Sequence, residues 1–212
     1  MTRAGSAALL VLVLLVPARA VAQDVPVRSV RLGQRSGQLV ASFELGELFD
    51  ARVRRKLRNG MANQIVARAY VYRDGGGSSV GLGAQTCKVV FDLWEEVYTV
   101  VVAAPGSERR VRVTRVEDVV SACGRIERLP VARLARLEAS RRYRLAVLAE
   151  VNPISQRTLE AIRRWLAHPG GTSESERAGL FGSFASIFVN RRIGAAEKTL
   201  RFQSQRFRVA LE

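Results

Sequence analysis

Apolar and polar residues alternate with a period of two in one short run after another, and this constrains the fold of the chain more than any other feature. Val27–Leu32 and Leu39–Leu45 alternate around Gly33 and Gly37, which predicts a hairpin. Ile65–Tyr72, Thr86–Leu93, Val97–Ala103, Arg110–Val113 and Tyr143–Val151 read as further strands, and Arg201–Leu211 closes the chain as another. Gly75-Gly-Gly-Ser-Ser79 is a turn or loop. Strands that follow one another without an intervening helix predict antiparallel pairing rather than the parallel sheet of a βαβ chain.

Helical spacing is less frequent. Phe49, Val53 and Leu57 form one stripe within Leu48–Asn59, with Gly60 where a helix C-cap belongs. Val116–Leu129 keeps three- and four-residue spacing until Pro130 interrupts before Val131–Leu137. Ser155 is an N-cap for a helix to Leu166, and Ser173 with Glu176 forms a capping box for a helix to about Thr199. The expected fold class is α+β. A mostly antiparallel β-sheet, sandwich-like or curved, carries three to four helices.

The N-terminus reads as an export signal. Arg3 supplies the positive charge, Ala7–Val16 is a ten-residue apolar run, and Pro17 ends it. Two small-residue sites follow, Ala18-Arg19-Ala20 and Ala20-Val21-Ala22, and cleavage after Ala22 opens a polar mature chain. A spanning helix needs about 20 apolar residues, so the expectation is a signal peptide over residues 1–22 rather than a retained anchor. Cleavage removes two arginines and no acid, which takes the net charge from +15 to +13 and leaves 190 of the 212 residues. That length suits a single exported domain, residues 23–212, placed in the periplasm. In an oxidising compartment the only two cysteines, Cys87 and Cys123, form either a disulfide or two buried thiols, and sequence does not choose between these.

Several segments taken together resemble an exported bacterial family catalogued as domain of unknown function 4390. They are the strand pair after the signal, the amphipathic Leu48–Gly60 segment and the run Phe91-Asp-Leu-Trp-Glu-Glu-Val-Tyr98. Tyr143-Arg-Leu-Ala-Val147, Asn152-Pro153, Trp165 and Arg201-Phe-Gln-Ser-Gln-Arg-Phe207 complete the set. The family has no established activity, so the resemblance implies no catalytic residue. Its members are often encoded beside membrane sensor kinases of the nitrogen-regulation type, which implies an envelope role connected with signalling.

The residues themselves offer little chemistry. The single His168 stands in the loop His168-Pro-Gly-Gly171 with no nucleophile motif beside it. Glu95-Glu96 are neighbours in a turn, and Glu117-Asp118 open a helix where acids favour the positive dipole end. Two cysteines cannot by themselves build a tetrahedral cysteine zinc site, a single histidine argues against His-based metal sites, and Gly75-Gly-Gly lacks the Lys-Ser/Thr of a phosphate loop. The expectation is no enzyme, no metal and no cofactor, with an envelope-acting enzyme as the remote alternative.

Binding surfaces are better represented. Thirty-one of the 34 basic residues are Arg, and the densest patch is Arg52, Arg54, Arg55, Lys56 and Arg58, with a second at Arg191-Arg192. Such a patch suits an acidic partner, an anionic membrane surface or lipopolysaccharide. Trp94 and Tyr98 are a candidate aromatic surface. The competing expectation puts Trp94 in the core while Asp92 hydrogen-bonds backbone. Nucleic acid is excluded by export and by the lack of any recognition-helix or aromatic-platform motif. The leading expectation is therefore a non-enzymatic periplasmic protein that binds an envelope or inner-membrane protein, with a sensor kinase as the partner the resemblance implies. The alternative is an electrostatic binder of anionic lipid.

Overall fold

The period-two runs become ten strands in a computed structural model, which describes residues 25–153 and 196–210. In chain order these are β1 (Val27–Arg28), β2 (Arg31–Arg35), β3 (Gln38–Glu44), β4 (Asn63–Arg73), β5 (Ser79–Asp92), β6 (Val97–Ala104), β7 (Ser107–Val113), β8 (Arg125–Arg133), β9 (Tyr143–Val151) and β10 (Lys198–Ser204). The described residues hold two α-helices, α1 (Ala51–Lys56) and α2 (Val116–Gly124), and two single 3-10 turns at Gly46–Leu48 and Leu134–Arg136.

The strands form two sheets. One has seven strands in the order β1-β10-β9-β4-β5-β6-β7, and the other has three in the order β2-β3-β8. All pairings are antiparallel except the short parallel contact of β1 with β10. Alternate residues of the large sheet, Ile65, Ala67, Ala69 and Val71 on β4 with Leu145, Val147 and Ala149 on β9, are all buried. They share one core with Leu39, Ala41 and Phe43 of β3 and with Ile126, Leu129 and Val131 of β8. Phe43 meets Phe202 of the large sheet edge to face, with ring centroids 5.8 Å apart. The fold is thus α+β with two layered sheets, mostly antiparallel.

The layers approach closest where β8 crosses β5, and glycine makes the approach possible. A Cβ on Gly81 would stand 2.3 Å from the Val131 carbonyl oxygen, and one on Gly83 would stand 2.2 Å from that of Pro130. Elsewhere α2 closes the core with Val116, Val119 and Cys123. Cys123 is disulfide-bonded to Cys87 of β5 across a Cα separation of 5.5 Å, which fastens the helix to the sheet.

Several expectations need correction. The anticipated strand Val27–Leu32 divides in two: β1 joins the large sheet and β2 the small one, and Ser36-Gly37, both at positive φ, turn β2 into β3. Helix α2 ends at Gly124 rather than Leu129, because residues 125–133 pair with β3. Pro130 therefore lies inside a strand. It is tolerated because β8 is an edge strand with bulges in its register against β3. The second bulge carries Arg128 at positive φ, and its amide donates to Ser42 Oγ at 2.9 Å. Residues 198 and 199, expected at the end of a helix, are the start of β10, and the last strand stops at Ser204 rather than Leu211. The described residues thus fall short of three to four helices. The helix expected from Ser155 and most of the one from Ser173 lie outside the described residues, as do the signal segment, Trp165, His168 and Arg191-Arg192.

Candidate functional site

The basic patch is built by a short helix whose apolar side is fully used. Phe49, Val53 and Leu57 are buried as their spacing predicts. Asp50 caps the helix, its Oδ1 accepting the Val53 amide at 2.9 Å while Oδ2 receives Lys198 Nζ at 2.6 Å. The Lys198 ammonium and then the Val53 N–H hold the Asp50 carboxyl below the ordinary aspartate value. Glu47, just upstream, is held low in the same way by its hydrogen bond from Arg28.

The five patch residues do not act alike. Arg54 is turned inward: Nε donates to the Phe49 carbonyl at 2.8 Å and the guanidinium pairs with Glu117 at 3.5 Å. Lys56 is ion-paired with Glu197. These two hold α1 to its surroundings. Arg52, Arg55 and Arg58 are exposed, and none makes an ion pair among the described residues. The patch available to a partner is therefore three arginines, not five.

The end of α1 rests on the hairpin between β5 and β6. Helix α1 is capped at Leu57 rather than at the expected Gly60, which lies three residues further on at φ +76°, where a Cβ would come within 2.9 Å of Leu93 Cδ1. The hairpin tip is organised by Asp92, whose Oδ1 accepts the amides of Trp94 at 2.9 Å and Glu95 at 3.1 Å. Those two N–H groups, Glu95 first, keep the Asp92 carboxyl ionised to lower pH than usual. With Glu96 at positive φ and Glu95 ion-paired to Arg112, the turn has a defined shape. It thrusts Trp94 out to 96% exposure, with Leu93 at 60% and Met61 at 43% beside Gly60. A large aromatic so fully exposed, next to further exposed apolar residues, marks a contact surface.

Tyr98 does not belong to that surface. It is 2% exposed, in register with buried Val100, and its ring lies 4.5 Å from that of Phe91. Trp94 in turn does not fill the core, although Asp92 does bond backbone. The strand period distinguishes the two residues, since Tyr98 alternates with Val100 and Val102 whereas Trp94 sits in the turn, outside any strand. The carboxylate pairs have structural roles: Glu95 pairs with Arg112, and Glu117 with Arg54 and Arg115. Among the described residues no group of three His, Cys, Asp or Glu is placed to hold a metal, and no helix is long and apolar enough to cross a membrane.

One feature of the inner layer escaped the sequence reading. Gln85 holds an inward position on β5 between Gly83 and Cys87, is 9% exposed, and borders a cleft of about 560 Å³ under β6 and β7. A polar residue at an inward place of an otherwise small and apolar alternation is the signal that could have exposed it.

A family described as Domain of unknown function (DUF4390) matches residues 22–155. No curated protein and no solved structure matches the chain.

Proposed function

This chain belongs to the DUF4390 family, and from that premise we propose that it is an exported, non-enzymatic docking protein of the bacterial envelope. Export rests on the signal-like residues 1–22, and a periplasmic setting follows from it. The observation that carries the docking function is Trp94, exposed on a shaped turn whose Leu93 lies against Gly60, just beyond the segment whose Arg52, Arg55 and Arg58 make no ion pair among the described residues. Aromatic residues and arginine are enriched at protein interfaces because each combines a large contact area with a directional polar group. The partner this surface fits is a protein with an acidic rim around an apolar pocket. A membrane sensor kinase is the candidate implied by the company that relatives of this family keep.

Reversing Arg52, Arg55 and Arg58 to Glu tests the reading. The triple variant is expected to lose capture of its envelope partner while its melting temperature stays within about 1 °C, since exposed unpaired charges add little to stability. Undiminished capture by the folded variant would refute the patch.

A second reading draws on the same tip. Trp94, Leu93 and Met61 beside arginines also suit the interface of an anionic membrane, each charge contributing about 1 kcal/mol and screened by salt. Binding to anionic vesicles that disappears at high salt, with none to neutral vesicles, distinguishes this from a protein partner.

A further inference from the structure

Among the described residues the large sheet ends at β7, and three features converge on that edge. Half of an edge strand's N–H and C=O groups have no partner in the sheet, which makes β7 a template for another strand. Its side chains divide by face: Arg109, Val111 and Val113 are on the inner face with Val102, Val100 and Tyr98, while Arg110 and Arg112 are on the outer face with Val101 and Thr99. Beneath it the second layer stops short and leaves the cleft floored by Val102, Val111 and Ala122. The charges around the cleft, Arg109 and Arg125 against Asp118 and Glu127, balance.

We infer that the β7 edge and this cleft form a docking site for an extended peptide of alternating apolar and acidic residues, which adds to the sheet as an eighth strand. Main-chain hydrogen bonds to β7 supply the pairing. Inward side chains lie beside Val111 and Val113 of β7, at the mouth of the cleft. Outward acids oppose Arg110, and also Arg112, which Glu95 of the neighbouring turn already pairs. A second copy of this chain is the wrong occupant, because it would set arginine strand against arginine strand, and like charges directly opposite destabilise a pair. Arg52, Arg55 and Arg58 lie on a different element, so loss of this site leaves the α1 contact intact.

The test uses the full mature chain and a fluorescent, acetylated decapeptide alternating valine and glutamate. A second peptide carries N-methyl groups on its four central amides, which removes strand donors without changing charge. The expected result is micromolar binding of the first peptide, at least tenfold weaker binding of the second, and at least tenfold weaker binding by R110E/R112E. The R52E/R55E/R58E variant should bind as the parent does. No binding, or equal binding of both peptides, overturns the inference, the latter because it reports charge attraction alone. Since Arg110 is exposed, retention of the melting temperature by R110E/R112E shows that any loss is local.

Discussion

Replacing Gly83 with alanine tests the layered architecture at its tightest point. The added Cβ would stand 2.2 Å from the Pro130 carbonyl oxygen, 3.0 Å from Val131 Cγ1 and 3.1 Å from Leu129 Cγ. Carbon and carbonyl oxygen come to rest about 3.3–3.6 Å apart, so one backbone must retreat by about 1 Å. Neither can do so freely: β5 is held by β4 and β6, and β8 by β3. Overpacking of this kind costs about 1–3 kcal/mol, and main-chain obstruction on both sides puts G83A at the upper end. Alanine recovers about 0.5–1 kcal/mol through its smaller backbone entropy loss, which leaves a net cost of about 2 kcal/mol. For a chain of this size that lowers the melting temperature by about 4–8 °C. Urea unfolding of the oxidised protein, read as a fall in midpoint at constant slope, measures it. G46A is the control, since nothing lies within 4 Å of a Cβ there. A G83A cost within 0.5 kcal/mol of the G46A cost would refute the close approach of the two sheets.

Two further perturbations address the ties around α1 and α2. Reducing Cys87–Cys123 frees a loop closed over a separation of 36 residues, and the chain-entropy relation gives a loss of about 3–4 kcal/mol, read as a melting temperature lower by about 6–15 °C in reductant. A shift below 2 °C would mean that the cross-link does not restrain the unfolded chain. Asp50 and Glu47 titrate below their ordinary values in the folded protein, so their stabilisation is complete above the ordinary carboxylate pKa and is lost as pH falls through the depressed folded values. The D50A variant should lose about 1 kcal/mol at neutral pH with its helix cap, and its stability should fall less steeply with acid than that of the parent. Equal acid slopes would show that Asp50 is not the group that titrates.

Where one period dominated, the sequence announced the structure. β4 and β9 alternate without interruption and form adjacent strands at the centre of the large sheet, and Phe49, Val53 and Leu57 bury the one side of α1 that their spacing marks. The reading failed where two periods agree on the same residues. Val116, Val119, Cys123 and Ile126 suit a helix, but Ile126 suits an inward strand position equally well, and only pairing with β3 decides where α2 ends. Long-range partners are likewise what divide β1 from β2 and place residues 198 and 199 in a strand, and no local pattern encodes them. The candidate site was legible in composition and not in geometry. Arg54 and Lys56 could not be separated from Arg52, Arg55 and Arg58 until Glu117 and Glu197 were seen beside them. Trp94 and Tyr98, four residues apart and paired as one candidate aromatic surface, lie on opposite sides of that expectation, Trp94 exposed and Tyr98 buried, because Trp94 sits in the Asp92 turn and the strand begins only at Val97.

The central claim, that Trp94 and the arginines of the α1 segment contact an envelope protein, is tested most directly by a photo-crosslinking amino acid at position 94 in cells. The account predicts one discrete protein adduct, formed through the exposed turn, that is lost in the R52E/R55E/R58E background and does not form from a crosslinker at Gly77 in the open β4–β5 loop. Adducts only with lipid, or the same adduct from both positions and in both backgrounds, would contradict it.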